Sequence, residues 1–96
     1  MANSEAKIPV IFFQEGNKVI AYSPALDLST CGDTEQQAHS RFTEAVRIFF
    51  KEAAKMGTLS EVLEECGWQK DPHKRVWSPP EYKSFTEESV KIPLGV

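Results

Sequence analysis

The stretch Ala21-Tyr22-Ser23-Pro24-Ala25-Leu26-Asp27-Leu28-Ser29-Thr30-Cys31-Gly32-Asp33-Thr34 runs from a strand-like segment directly into a helix start. Gly32 can adopt backbone angles that are closed to other residues, which suits the point where a strand gives way to a helix. Asp33 and Thr34 are residue types whose side-chain oxygens accept hydrogen bonds from the free N–H groups of a first helical turn. The stretch therefore predicts a helix beginning at Thr34, with Asp33 and Thr34 as caps rather than catalytic groups.

Beyond this stretch the sequence has the period of an amphipathic helix as far as Met56. Thr34 and Gln37 match a capping box, and Gly57 suits the left-handed residue that ends a helix. One apolar stripe is expected to pack on a sheet: Ala38, Phe42, Ala45, Val46, Phe49, Ala53 and Met56. Thr58 and Glu61 predict a second capping box for a short helix. That helix ends at Gly67, with Trp68 packing back on Leu63.

Upstream, β-branched and aromatic residues predict a hairpin of strands 8–13 and 18–22, with turn residues at 15–17. A third short strand is expected at 28–31, after the bend that Pro24 favours. In the first strand Ile11 and Phe13 alternate with other apolar residues, so both faces of the sheet are apolar. One of these faces has no obvious cover within the chain.

The C-terminal third is predicted to contain an extended, irregular segment at 69–85 because it combines prolines with charged residues. The alternation of apolar and polar residues over 88–94 has the period of a strand, which we expect to join the sheet as a fourth strand. Pro93 has no N–H donor, so this strand should lie at an edge or stop pairing there. The prediction is a single α+β domain over 1–96 with its core at about 7–68. Its element order is β-β-β-α-(short α)-β, with one long helix on one face of a small curved sheet.

The composition argues against several classes of function. The chain has 11 basic and 14 acidic residues and a net charge of −3, whereas nucleic-acid binding relies on Lys and Arg to neutralise phosphates. Two cysteines and two histidines show no metal-ligand spacing, and we predict no metal or cofactor. No apolar run approaches a membrane span and no signal peptide is visible, so we expect a cytoplasmic protein.

Catalysis is not expected either. A two-metal nuclease needs several carboxylates that converge on the sheet, and the first strand offers none between Ile8 and Phe13. Cys31 and His39 could be imagined as nucleophile and base, but no third group is apparent to orient them. We interpret His39 as a surface histidine and the chain as a non-enzyme.

The bend and the helix start resemble the signature of the HicB-like family. The resemblance as a whole covers the chain from about Lys7 to Trp68. The residues that carry the resemblance are Tyr22, Ser23, Pro24, Leu26, Gly32, Asp33 and Thr34. The resemblance implies a partial ribonuclease H-like fold and an antitoxin that pairs with HicA, a small basic toxin that degrades messenger RNA. Nothing after Trp68 resembles the DNA-binding module that full antitoxins append. We therefore expect an orphan or short member that does not bind DNA.

Two functions are consistent with these features: masking of a HicA-like toxin, or an orphan structural or regulatory oligomer that binds another protein or a small ligand. For the toxin, an acidic surface is a suitable partner. The candidate contacts are Glu15, Asp27, Glu35 and Glu44. Exposed apolar residues usually mark an interface, and we predict a homodimer or a higher even oligomer. The candidate residues for that interface are Ile11, Phe13, Trp77 and Tyr82.

Overall fold

The structure is a computed structural model that describes residues 5–95. Strands β1 (Ile11–Glu15), β2 (Lys18–Ser23) and β3 (Leu28–Gly32) form an antiparallel sheet in the order β1-β2-β3. Helices α1 (Glu35–Met56) and α2 (Leu59–Glu65) follow. Strands β4 (Gln69–Lys70) and β5 (Trp77–Ser78) form a separate ribbon. The predicted small α+β fold, with one long helix packed on the sheet, is confirmed.

The β1–β2 hairpin closes where Glu15 pairs with Lys18 across Gly16 and Asn17. Gly16 has φ 61°, the left-handed value that the first central residue of a type II′ turn requires. β1 begins at Ile11 rather than at Ile8, because Pro9 has no N–H for a ladder. The hairpin was therefore predictable, while its first boundary was not.

The pairing register assigns the side chains to two faces. Phe12 pairs with Ala21, and Ala21 with Thr30, on the face that α1 covers. Thr30 Oγ1 donates a hydrogen bond of 2.8 Å to the Ala38 carbonyl of α1, which fixes the helix against β3. We call the other side the open face. It consists of the side chains of Ile11, Phe13, Glu15, Lys18, Ile20, Tyr22, Ser29 and Cys31.

Both ends of α1 are capped by local hydrogen bonds. Thr34 Oγ1 accepts from the Gln37 N–H at 3.1 Å, as predicted. The Gln37 side chain reaches the N–H of Asp33 rather than that of Thr34, at 2.7 Å. At the other end Gly57 has φ 72°, and the N–H of Thr58 donates to the Ala53 carbonyl, as in a Schellman motif.

Gly32 has a different role from the one expected. Its φ is not in the left-handed region, so conformational freedom does not explain it. A Cβ at this position would lie 2.7 Å from the Ala38 nitrogen and 3.0 Å from the Gln37 carbonyl carbon. Gly32 is therefore needed because the end of β3 passes very close to the first turn of α1.

The second capping box is wrong, while the end of α2 is as predicted. Thr58 makes no side-chain cap hydrogen bond, since its hydroxyl and its N–H are both directed at the Ala53 carbonyl of α1, at 3.5 Å and 3.0 Å. At the end of α2, Gly67 has φ 88° and the Trp68 N–H donates to the Leu63 carbonyl at 2.9 Å. Trp68 is buried with Leu63 in a cluster that also contains Ala25 and Leu26. The predicted packing of Trp68 on Leu63 therefore also joins α2 to the bend between β2 and β3.

The C-terminal region differs most from expectation. Residues 69–85 are not wholly irregular, since β4 and β5 pair on either side of a turn in which Asp71 accepts two backbone hydrogen bonds. The predicted fourth strand at 88–94 is wrong: these residues form no strand, and Val90, Ile92 and Leu94 are 70%, 77% and 97% exposed. A strand needs a partner edge, which periodicity alone does not supply.

The molecule is elongated. Its principal extents are 54 × 28 × 23 Å and its radius of gyration is 16.4 Å. A compact chain of this length has a radius of gyration of roughly 12 to 13 Å. None of the helices within residues 5–95 is long and apolar enough to cross a membrane.

Candidate functional site

The open face of the sheet is the most distinctive surface of the molecule. Ile11 and Phe13 are each 44% exposed there, and Ile20 and Tyr22 beside them are half-buried. Apolar side chains that cluster on a surface usually mark an interaction site. The sequence predicted this exposure from the alternation in the first strand, and the register adds Ile20 and Tyr22 to the same patch.

One end of the open face is built by the bend between β2 and β3. Buried Ser23 accepts the Ala25 N–H at 3.2 Å, and the Trp68 indole donates to the Ala25 carbonyl at 2.7 Å. Asp27 has φ 50°, a left-handed value that Asp tolerates better than most residues. These bonds hold the motif residues 22–27 in one conformation, so their role here is structural.

The same bend brings Tyr22 and Asp27 together. The Tyr22 hydroxyl donates a 3.1 Å hydrogen bond to Asp27 Oδ1, and this bond to a carboxylate raises the pKa of Tyr22 above its usual range. Tyr82 and Cys66 lie close enough to raise the pKa of Tyr22 further. Burial raises the pKa of the Cys66 thiol, with a smaller contribution from Asp27. No sequence pattern signals this contact, because it depends on the conformation of the bend.

The four acidic candidates do not lie on one surface. Glu15 is on the open face at the hairpin end of the sheet, and Asp27 lies at the opposite end, after Ser23. Glu35 and Glu44 belong to α1, which lies on the other side of the sheet. Arg47 donates to Glu44 at 2.6 Å, and this hydrogen bond lowers the pKa of Glu44. Of the four acidic candidates, Glu15 and Asp27 therefore flank the open face, and Glu35 and Glu44 do not.

A further charge contact at the hairpin end was not predicted. Lys18 of the open face donates to Asp33, and this hydrogen bond lowers the pKa of the Asp33 carboxyl. Both side chains are solvent-exposed, so the ion pair contributes little to folding stability. The Asp33 side chain is thus paired with Lys18 of β2, while Thr34 is the cap of α1.

The two aromatic candidates of the C-terminal region differ from each other. Trp77 is half-buried against the chain's own cluster around Trp68, and Lys70 Nζ lies 5.8 Å from the centroid of its ring. Tyr82 is 46% exposed. Tyr82 is therefore accessible to a partner, whereas Trp77 mainly serves the fold.

The geometry separates the only pair of residues considered for nucleophilic catalysis. Cys31 lies on the open face, while His39 of α1 packs edge-on against Phe12, with ring centroids 5.8 Å apart, on the covered face. Phe12 and His39 line a shallow cleft together with Glu35 and Gln36. Within residues 5–95 no group of three or more His, Cys, Asp or Glu is placed to hold a metal ion.

Comparisons of the chain with protein-family models, with curated proteins and with solved structures found no match. In the bend that carries the resemblance to HicB-like proteins, Ser23 is buried and Tyr22 is hydrogen-bonded to Asp27. The open face is the surface on which a functional proposal can be based.

Proposed function

We propose that this chain is a non-catalytic, antitoxin-like protein of the HicB type, which masks a small basic HicA-type mRNA-degrading toxin in the cytoplasm. The observation that supports this most directly is the open face, with Ile11 and Phe13 exposed on its edge strand β1 beside half-buried Ile20 and Tyr22. Protein interfaces commonly combine an apolar centre with a polar rim, and this face has both.

The charge of the rim suits a basic partner. Glu15 and Asp27 flank the open face at its two ends, and the chain as a whole carries a net charge of −3. A toxin that binds RNA presents a basic surface, and complementary charge speeds its encounter with the antitoxin and disfavours wrong partners. Masking by surface contact needs no catalytic group on this chain.

The alternative is an orphan structural or regulatory oligomer that uses the open face to bind another protein or a small ligand. The exposed apolar side chains of residues 85–94 favour self-association, since they have no cover within the described chain. We propose a homodimer or a higher even oligomer in either case. In this proposal Ile11 and Phe13, which the sequence predicts at the oligomer interface, belong to the surface for the toxin, and the second copy occupies a different surface.

The test is co-expression with the product of a neighbouring gene that encodes a short basic protein, followed by pull-down and an assay of mRNA cleavage. Phe13→Glu places a charge among the exposed apolar side chains of the open face and should weaken binding at least about tenfold, with loss of inhibition. Ile48→Glu is the matched control, since Ile48 is similarly exposed, at 46%, but lies on α1.

Equal effects of Phe13→Glu and Ile48→Glu would contradict docking on the open face. Full mRNA cleavage in the presence of excess wild-type chain would contradict the antitoxin role and favour the orphan oligomer.

A further inference from the structure

The two outer edges of the sheet are not equally protected. In a two-residue hairpin the closing pair, here Glu15 and Lys18, is hydrogen-bonded. Because hydrogen-bonded and non-hydrogen-bonded pairs alternate along an antiparallel ladder, the backbone N–H and C=O groups of Phe12 and Gln14 are directed away from β2. At the other edge the outward carbonyl of Cys31 accepts a 2.8 Å hydrogen bond from Arg41 of α1. No comparable bond covers Phe12 or Gln14 within residues 5–95. β1 is therefore the edge that is open to another strand.

Beside this edge, on the covered side of the sheet, there is space for apolar side chains. α1 packs mainly on β3 and β2, so it is displaced from β1. Phe12 forms the apolar floor of the shallow cleft that His39, Glu35 and Gln36 line on the helix side. A strand added next to β1 would place alternate side chains in this cleft.

The C-terminal segment 84–94, which we call the tail, has the properties of such a strand. Residues 79–92 make no backbone hydrogen bond to any other described residue. Val90, Ile92 and Leu94 alternate with Ser89, Lys91 and Pro93, and all three are at least 70% exposed. Apolar side chains at that spacing share one face of a strand.

Pro93 determines how the tail can pair. Because Pro93 has no N–H to donate, the backbone groups of Pro93 must be directed away from β1. Val90, Ile92 and Leu94 then direct their backbone groups toward β1. In an antiparallel arrangement, hydrogen-bonded residues on the two strands share a face, so these side chains lie beside Phe12 in the cleft. A parallel arrangement would instead put them on the open face and place Ser89 and Lys91 in the cleft.

The direction of the tail favours a second copy over the chain's own β1. Pro80 packs against Gly67, beside Trp68, whose indole hydrogen-bonds to Ala25 in the bend at the end of the sheet where β1 begins. A tail that continues from there along its own β1 would run parallel to it. A second copy related by a two-fold axis can supply its tail in the antiparallel direction. The exchange is then reciprocal, and two tails and two β1 strands contribute to one closed interface.

The size of the interface also favours exchange in both directions. A stable protein interface takes roughly 20 to 30 residues from each partner. Reciprocal exchange places the tail and β1 of each copy in the contact, together with the first turn of α1, and approaches that size. Addition of one tail alone would supply about half as many contact residues.

We infer that two copies of this chain form a dimer by strand exchange, in which the tail of each copy pairs antiparallel with β1 of the other and places Val90, Ile92 and Leu94 beside Phe12. The inference specifies the self-association proposed above and does not depend on a toxin. It also leaves the open face available to a different partner.

The experiment compares the full-length wild type with two proline variants by light scattering at micromolar concentration. Wild type should have twice the mass of one 10.8 kDa chain. Ile92→Pro removes an N–H directed toward β1, as well as an apolar side chain, and should raise the dimer dissociation constant at least about tenfold. Lys91→Pro is the matched control, because its N–H faces solvent and a proline there is tolerated.

Amide hydrogen exchange gives a second measurement. The N–H groups of Phe12, Gln14, Val90 and Ile92 should be protected in the wild-type dimer and lose protection in Ile92→Pro, while Lys91 exchanges rapidly in both. A wild-type monomer would overturn the inference, even with the tail amides protected, since the tail would then pair with its own chain. A dimer that is equally stable in Ile92→Pro would overturn strand exchange while leaving self-association and toxin binding intact.

Discussion

At the scale of single residues, Asp27 determines the chemistry of the bend. Its left-handed backbone turns the chain between β2 and β3, and its carboxylate accepts the hydrogen bond from the Tyr22 hydroxyl. A carboxylate beside a phenol disfavours the phenolate, so the pKa of Tyr22 lies above the usual value of about 10. The Tyr22 pair therefore stabilises the fold below pH 10 and loses that contribution as the pH rises through the pKa of the folded state.

We expect this residue pair to be visible in an alkaline absorbance titration. The chain has two tyrosines, and subtracting the Tyr22→Phe curve from the wild-type curve isolates the ionisation of Tyr22. In Asp27→Asn that ionisation should move down toward pH 10, because Asn keeps the left-handed backbone without the charge. Glu15→Gln removes a charge of the same sign elsewhere and should leave the ionisation of Tyr22 unchanged. An unchanged curve in Asp27→Asn would show that the carboxylate is not responsible.

At the scale of elements, the two threonines that precede the helices have different roles. Thr34 caps α1 with its side chain, while Thr58 has no side-chain cap bond and uses its backbone N–H to end α1. Thr34→Ala should lower the free energy of unfolding by about 1 kcal/mol. Thr58→Ala should change it by less than about 0.5 kcal/mol. Urea unfolding followed by circular dichroism measures both, and similar losses in the two variants would contradict this difference.

The elements also show what sequence could predict. The hairpin, α1 and the C-terminal ends of both helices were predictable, since they depend on local residues such as Gly16, Thr34 and Gly57. The close approach at Gly32 and the Tyr22–Asp27 bond were not, because they require the positions of two elements at once. The open face was predicted from the alternation around Ile11 and Phe13. The tail has the pattern of a strand, but its pairing depends on an edge that the pattern does not identify.

At the scale of the whole molecule, charge and apolar surface are arranged around the open face. Glu15 is at its rim and is not paired with a cation among the described residues, whereas Glu52 lies on α1, on the other side of the sheet. Rim charges act mainly on encounter, because they attract a partner before contact is made.

For the proposed HicA-type partner we therefore expect Glu15→Gln to slow association and flatten its dependence on salt, with little change in dissociation. Glu52→Gln removes the same charge from the opposite side and should have a smaller effect. Stopped-flow association at low and physiological salt measures both. Association rates that respond to neither salt nor Glu15→Gln would exclude electrostatic steering.

The order of the elements has a consequence for how fast the chain acquires its structure. β1, β2, β3 and α1 each contact the element that follows in sequence, so most loops that must close are short. Chains with such low contact order fold rapidly, because little loop entropy is lost before contacts form. The bond from the Trp68 indole to the Ala25 carbonyl spans 43 residues. Closure of that long loop is therefore expected to be a late event, and Trp68 fluorescence in a Trp77→Phe variant would report when it occurs.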